Sequence, residues 1–135
     1  MTILVLITAV IIGGVLFTMF NKNDNAQIVA PEAHALMQTG TLTVLDVRTA
    51  DEFKQGHIDK ALLIPVDQLS QRIQELSHLK EKKILVYCRS GGRSASAVRI
   101  LRAHGFIDIV NLQGGIMSWM SGNLPVVGGS SCQKQ

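Results

Sequence analysis

Lys83-Ile84-Leu85-Val86-Tyr87-Cys88-Arg89-Ser90-Gly91-Gly92-Arg93-Ser94 is where the fold of this chain can be read. Lys83 to Tyr87 is a short apolar run, the clearest strand signal in the sequence. Gly91 and Gly92 then break the pattern. From Ser94 to His104 the spacing is helical, with Ala97, Ile100, Leu101 and Ala103 available for packing and Gly105 closing the helix. A strand, a tight loop and a helix follow one another within 22 residues.

The same alternation extends on both sides. Pro31 suits a first helical position, and Pro31 to Gln38 reads as a short helix ended by Gly40. Leu42 to Val47 reads as a buried strand, and Thr49 to Lys54 as a loop with a helical turn. Ala61 to Ile64 is a second apolar run, stopped by Pro65. Asp67 is placed to cap a helix that puts Leu69, Ile73 and Leu76 on one face. Ile109 to Leu112 predicts another strand and Gly115 to Met120 a last helix. Strands separated by helices predict an α/β fold, a parallel sheet flanked by helices on both faces. In such sheets ligands sit at the carboxyl ends of the strands.

Composition divides the chain. The first 20 of its 135 residues carry no charged side chain, and all 13 Lys+Arg and 10 Asp+Glu lie beyond them. Ile3 to Phe20, as a helix, would span about 27 Å, close to a hydrocarbon core of about 30 Å. No Lys or Arg precedes the run, and Asn21-Lys22-Asn23-Asp24-Asn25-Ala26 offers no Ala-x-Ala cleavage pattern. These features favour one transmembrane helix, a signal anchor at 1–20 contacting membrane lipid through residues 3–20, over a cleaved signal peptide or a buried helix. Residues 21–27 then form a linker, 28–127 the globular domain and 128–135 a flexible tail. The domain is long enough to bury one core. Its net charge of +3 suits small anionic ligands and is no nucleic-acid footprint.

Two cysteines, Cys88 and Cys132, cannot make a disulfide framework. His34, His57, His78 and His104 share no ligand spacing with them, so no metal site is expected. Cys88 stands apart for another reason. It sits where the strongest strand ends and a glycine-rich loop begins. Gly91 and Gly92 allow successive N–H groups to turn inward. The helix that follows adds unpaired N–H groups and partial positive charge. Arg89 and Arg93 supply full charges suited to an oxyanion. Ser90 and Ser94 offer hydroxyls, and Ser94 is also placed to cap the helix. A cysteine ending an apolar strand is ordinarily a small core residue, but a core position has no use for two arginines and a flexible loop. These surroundings favour a thiolate, a nucleophile for an anionic substrate.

Cys88-Arg89-Ser90-Gly91-Gly92-Arg93-Ser94 resembles the active-site loop of single-domain rhodaneses. Asp46-Val47-Arg48, Glu52-Phe53, Gly56-His57-Ile58 and Ala61 to Pro65 fall in that family's order, with Leu63 where Asn is usual. Gly105-Phe106, Asn111-Leu112-Gln113-Gly114-Gly115 and Trp119 complete the match, which covers about residues 28 to 126. The resemblance implies a rhodanese-like sheet and a two-step sulfurtransferase reaction. Cys88 takes the outer sulfur of a small anionic donor such as thiosulfate as a persulfide, and a thiol acceptor or cyanide then removes it. The loop's N–H groups (Ser90, Gly91, Gly92, Ser94) would hold the persulfide, and Arg89 and Arg93 the donor's sulfonate, with no cofactor. Asp46 and Arg48 read as an ion pair that orders loops, His57 as structural and Trp119 as core.

Two other functions compete. Phosphatases and arsenate reductases of related fold place five residues between Cys and Arg, whereas Cys88 and Arg93 enclose four. A membrane-tethered persulfide carrier or docking module would use the same loop with little turnover. Cys132 reads either as an incidental exposed thiol or as a resolving thiol. A free catalytic thiol, with Lys22 next to the apolar run, favours a single-pass membrane protein whose domain faces the cytoplasm.

Overall fold

The computed structural model describes residues 26–129. The apolar run at 3–20 and Cys132 lie outside them. Among the described residues no helix is long and apolar enough to cross a membrane.

Five strands, β1 (Gln27–Ile28), β2 (Leu42–Asp46), β3 (Leu62–Leu63), β4 (Lys83–Tyr87) and β5 (Asp108–Leu112), form one sheet in the order β1-β5-β4-β2-β3. Every pairing is parallel. The helices are α1 (Ala30–Gln38), α2 (Ala50–Gln55), α3 (Leu69–Arg72), α4 (Gly92–Ala103) and α5 (Gly115–Ser121), and a 3-10 segment runs from Ile73 to Leu79.

Alternate residues of the central strands feed two cores. Leu45, Ile84, Val86 and Ile109 pack with α3, the 3-10 segment and α4 on one face. Val44, Leu85, Tyr87 and Leu112 pack with α1 and α5 on the other. Burial on both faces explains why these strands read as continuous apolar runs. Trp119 is buried in the second core, and its indole N–H donates to the Pro125 carbonyl at 2.9 Å.

Several local expectations need correction. Gln27, read as linker, pairs with Asn111 on β5 through a two-residue edge strand. Asp67 caps no helix: α3 starts at Leu69 behind Gln68 with no side-chain cap, and one turn later the chain tightens into the 3-10 segment. Leu69, Ile73 and Leu76 are nevertheless all buried, so tertiary packing kept the apolar face while the hydrogen-bond pattern changed. In α4 the buried face is Ser94, Ala97, Val98 and Leu101, and Ala103 is exposed. Thr49 to Lys54 is more than a turn. Thr49 and Glu52 form a reciprocal capping box at the start of α2.

The strand order places the site. From β2 the chain turns outward to β3, whereas from β4 it turns the other way to β5. Connections that diverge from adjacent strands leave a crevice at their carboxyl ends. The residues after β2 and those after β4 meet there.

Candidate active site

Cys88 ends the central strand and is buried. Its Sγ accepts the Gly91 N–H at 3.1 Å and lies 3.4 Å from the Ser94 Oγ. Gly91 has φ 118°, a left-handed conformation that turns its N–H back on the sulfur, and it stands directly before α4. Ser94 is not the cap of α4. It lies in the first turn with its hydroxyl directed inward, 3.1 Å from the Gly91 carbonyl and 2.7 Å from Asn111 Oδ1. With one proton to give, that hydroxyl serves one of these partners or the sulfur at a time.

Burial pushes the Cys88 thiol up. The Ser94 hydroxyl and the backbone N–H groups of Ser94, Gly91 and Ser90 outweigh it and set the pKa below the ordinary thiol value. Hydrogen bonds are thus the largest contributions that favour the thiolate over the thiol, and the Arg93 charge also interacts with it.

The loop's carbonyls face the opposite way. The Ile116 N–H donates to the Cys88 carbonyl at 2.9 Å, and the Met117 N–H to the Arg89 carbonyl at 3.1 Å. The start of α5 therefore takes two of the loop's acceptors, while the Gly91 N–H serves the sulfur. Gly115 permits this approach: its φ is 60°, and a Cβ there would strike the carbonyls of Arg89 and Cys88.

The arginines divide in role. Arg93 donates from Nη1 and Nη2 to the two carboxylate oxygens of Glu52, each at 2.8 Å. That guanidinium, with burial opposing and the Thr49 cap helping, holds the Glu52 carboxyl down at about 2. The pair stays charged through neutral and mildly acidic pH. Arg89 and Ser90 are exposed, and no carboxylate among the described residues forms an ion pair with Arg89. Gly92 opens α4 with free space around it.

Asp46 and Arg48 form the ion pair that was expected. Arg48 Nη2 donates to Asp46 Oδ2 at 2.6 Å and to the Gly56 carbonyl at 2.8 Å, and its Nε bonds both carboxylate oxygens at 3.0 Å. Both residues are buried, with the guanidinium 5.4 Å from the centroid of the Tyr87 ring. The Tyr87 hydroxyl accepts the Ile58 N–H at 3.1 Å, and burial followed by the Asp46 charge keeps the phenol protonated. His57 stacks on Phe53 at 3.6 Å, and its backbone pairs with Val127, a structural role.

The site thus joins Cys88, Arg89, Ser90, Gly91, Gly92, Arg93 and Ser94 with three residues that sequence reasoning gave no role there. Glu52 was signalled by the Thr-x-x-Glu spacing from Thr49. Asn111 was signalled only as a polar residue inside an apolar strand. Gly115 was signalled by the Gly-Gly pair that precedes a helix. A cavity of about 320 Å³ abuts the loop, and its lining combines the charged Arg48, Glu52 and Arg89 with the apolar Ile116, Met117, Met120 and Val126.

Known proteins are similar to this chain in sequence and in fold. A sulfurtransferase of Allochromatium vinosum is 34% identical over 109 residues, covering 81% of this chain and 96% of that protein. A rhodanese-related protein from Thermoplasma volcanium superposes with a TM-score of 0.69 at 36% identity, covering 76% of this chain and 97% of that one. A tRNA uridine(34) hydroxylase of Erwinia tasmaniensis is 30% identical over 115 residues, but the match takes in only 33% of its length. Residues 29–121 match the family model of the rhodanese-like domain, and the chain belongs to that family.

Proposed function

We propose that the domain moves sulfane sulfur from a donor to a thiol or cyanide acceptor through a persulfide on Cys88. The observation that carries this reading is the sulfur's setting: a buried Sγ at the end of β4 that takes the Gly91 N–H at 3.1 Å beside the Ser94 hydroxyl. In the first step the thiolate bonds the donor's outer sulfur, the donor's own S–S bond breaks, and the rest of the donor (sulfite, for thiosulfate) leaves with the electron pair. In the second, an acceptor thiolate attacks the outer persulfide sulfur and returns the Cys88 thiolate. Loop donors stabilise negative charge on either sulfur species and favour both steps. Steady-state thiosulfate:cyanide turnover tests the reading. Turnover that disappears in Cys88→Ser supports it, and turnover that persists there contradicts it.

The carrier reading differs in one outcome, uptake of a single sulfur with negligible turnover. Phosphatase chemistry is disfavoured by the four-residue spacing and by an Arg93 whose outer nitrogens are both held by Glu52. Hydrolysis of an aryl phosphate, with no persulfide formed, would reverse that preference. We also propose that Ile3 to Phe20 tether the domain on the cytoplasmic side, on the length and uncharged composition of the run. Labelling of Cys132 by an impermeant thiol reagent on intact cells would overturn that topology.

A further inference from the structure

We propose that the site selects sulfur donors with a single negative charge and an apolar body, and that Glu52 is the residue that sets this choice. The inference rests on the sulfur-transfer reading above and names the class of donor.

Charge pairing around the cavity carries it. Three arginines stand at the crevice, which at first sight suits a dianion. Arg48 is committed to Asp46, with its remaining reach on the Gly56 carbonyl. Arg93 is committed to Glu52 through both of its outer nitrogens. Only Arg89 remains without a carboxylate. Glu52 lines the same cavity as Arg89, so its negative charge faces whatever binds there. The Cys88 thiolate adds a second negative charge nearby. One free guanidinium against these charges leaves any anion under-compensated, and a dianion more so than a monoanion.

The rest of the lining has another chemistry. It includes Ile116, Met120 and Val126, and Met120 is 54% exposed. Methionine is flexible and polarizable, and it adapts to varied apolar groups. A sulfonate oxygen gains nothing there, whereas an alkyl or aryl group buries surface.

Thiosulfonates isolate the two features. Thiosulfate carries two negative charges and no apolar group, methanethiosulfonate one charge and a methyl, and benzenethiosulfonate one charge and a ring. With each, the Cys88 thiolate bonds the outer sulfur, the donor's S–S bond breaks, and sulfite or the sulfinate leaves with the electron pair. Atoms and charge balance with no further reactant.

The test is the rate of sulfur addition to Cys88 in the full chain, read by peptide mass spectrometry. Each rate is divided by that donor's rate with a simple thiol in buffer. The expected order is benzenethiosulfonate, methanethiosulfonate, thiosulfate, with the extremes at least about tenfold apart. Glu52→Gln keeps the shape and an oxygen for the Thr49 cap. It should raise thiosulfate relative to methanethiosulfonate by about fivefold. Met120→Ser leaves the ion pair alone and should lower the ratio of benzenethiosulfonate to methanethiosulfonate by about threefold. Thiosulfate matching or leading the others, or an unchanged ratio in Glu52→Gln, overturns the proposal. If Glu52→Gln fails to fold, the native order and the Met120→Ser ratio decide. Sulfur added from none of the donors would instead sink the sulfur-transfer reading itself.

Discussion

The segments that follow β2 and β4 occupy neighbouring places at one end of the sheet, yet they are built on opposite principles. After β2, charge meets charge: Asp46 holds Arg48, and Glu52 reaches across to Arg93. After β4, polar groups gather about a single sulfur: the Gly91 N–H bonds the Cys88 Sγ, the Ser94 Oγ lies 3.4 Å from it, and α5 takes the carbonyls of Cys88 and Arg89. The first segment is saturated and holds geometry. The second keeps unspent donors and holds reactivity. Charged residues near a nucleophile are therefore a poor guide to which residues act on substrate, because most of the charge here is already paired.

The difference can be attacked from either side. The largest effect should come from Cys88→Ser, which should reduce sulfur turnover to the level of buffer while leaving the circular dichroism spectrum unchanged. Next is the scaffold side. Asp46→Ala leaves the Arg48 guanidinium buried without its counter-charge, and we expect a loss of about 3–5 kcal/mol in urea unfolding. If stability instead falls by less than about 1 kcal/mol, the segment after β2 is not the brace described here.

Ser94→Ala tests the donor side with less force. The hydroxyl lowers the Cys88 pKa, so its loss should move the pH midpoint of Cys88 alkylation upward. At any fixed pH on the rising part of that profile, iodoacetamide should react more slowly than with the unsubstituted protein. An unshifted profile would mean that the backbone N–H groups alone hold the thiolate. The smallest effect belongs to Thr49→Ala, which removes half of the capping box on α2 and should cost about 1 kcal/mol. Sulfur loading should change little, since the Glu52–Arg93 pair remains.

What was legible in the sequence follows from range. Lys83 to Tyr87 was read correctly as a strand leading through a glycine turn into a helix, because such signals act over a few residues, although the helix starts at Gly92 and not at Ser94. The parallel α/β class followed from the alternation of strands and helices. Features set by distant partners were not legible. Gln27–Ile28 is a strand only because β5 lies beside it. The 3-10 segment from Ile73 keeps its apolar face while abandoning α-helical spacing, a choice made by packing. Glu52 and Arg93 are 41 residues apart, and nothing local announces that they neutralise each other. Arg93 therefore read as an unpaired charge, whereas both of its outer nitrogens bond Glu52. Asn111, 2.7 Å from Ser94, sits inside a strand that pattern reading treats as core.

The central claim is that Cys88 carries sulfur. The most direct test is mass spectrometry of the protein after exposure to a sulfane donor without reductant, with peptides mapped to locate the change. The account predicts one added sulfur atom on Cys88, removed by cyanide and absent in Cys88→Ser. An unmodified Cys88, or sulfur found only on Cys132, would contradict it.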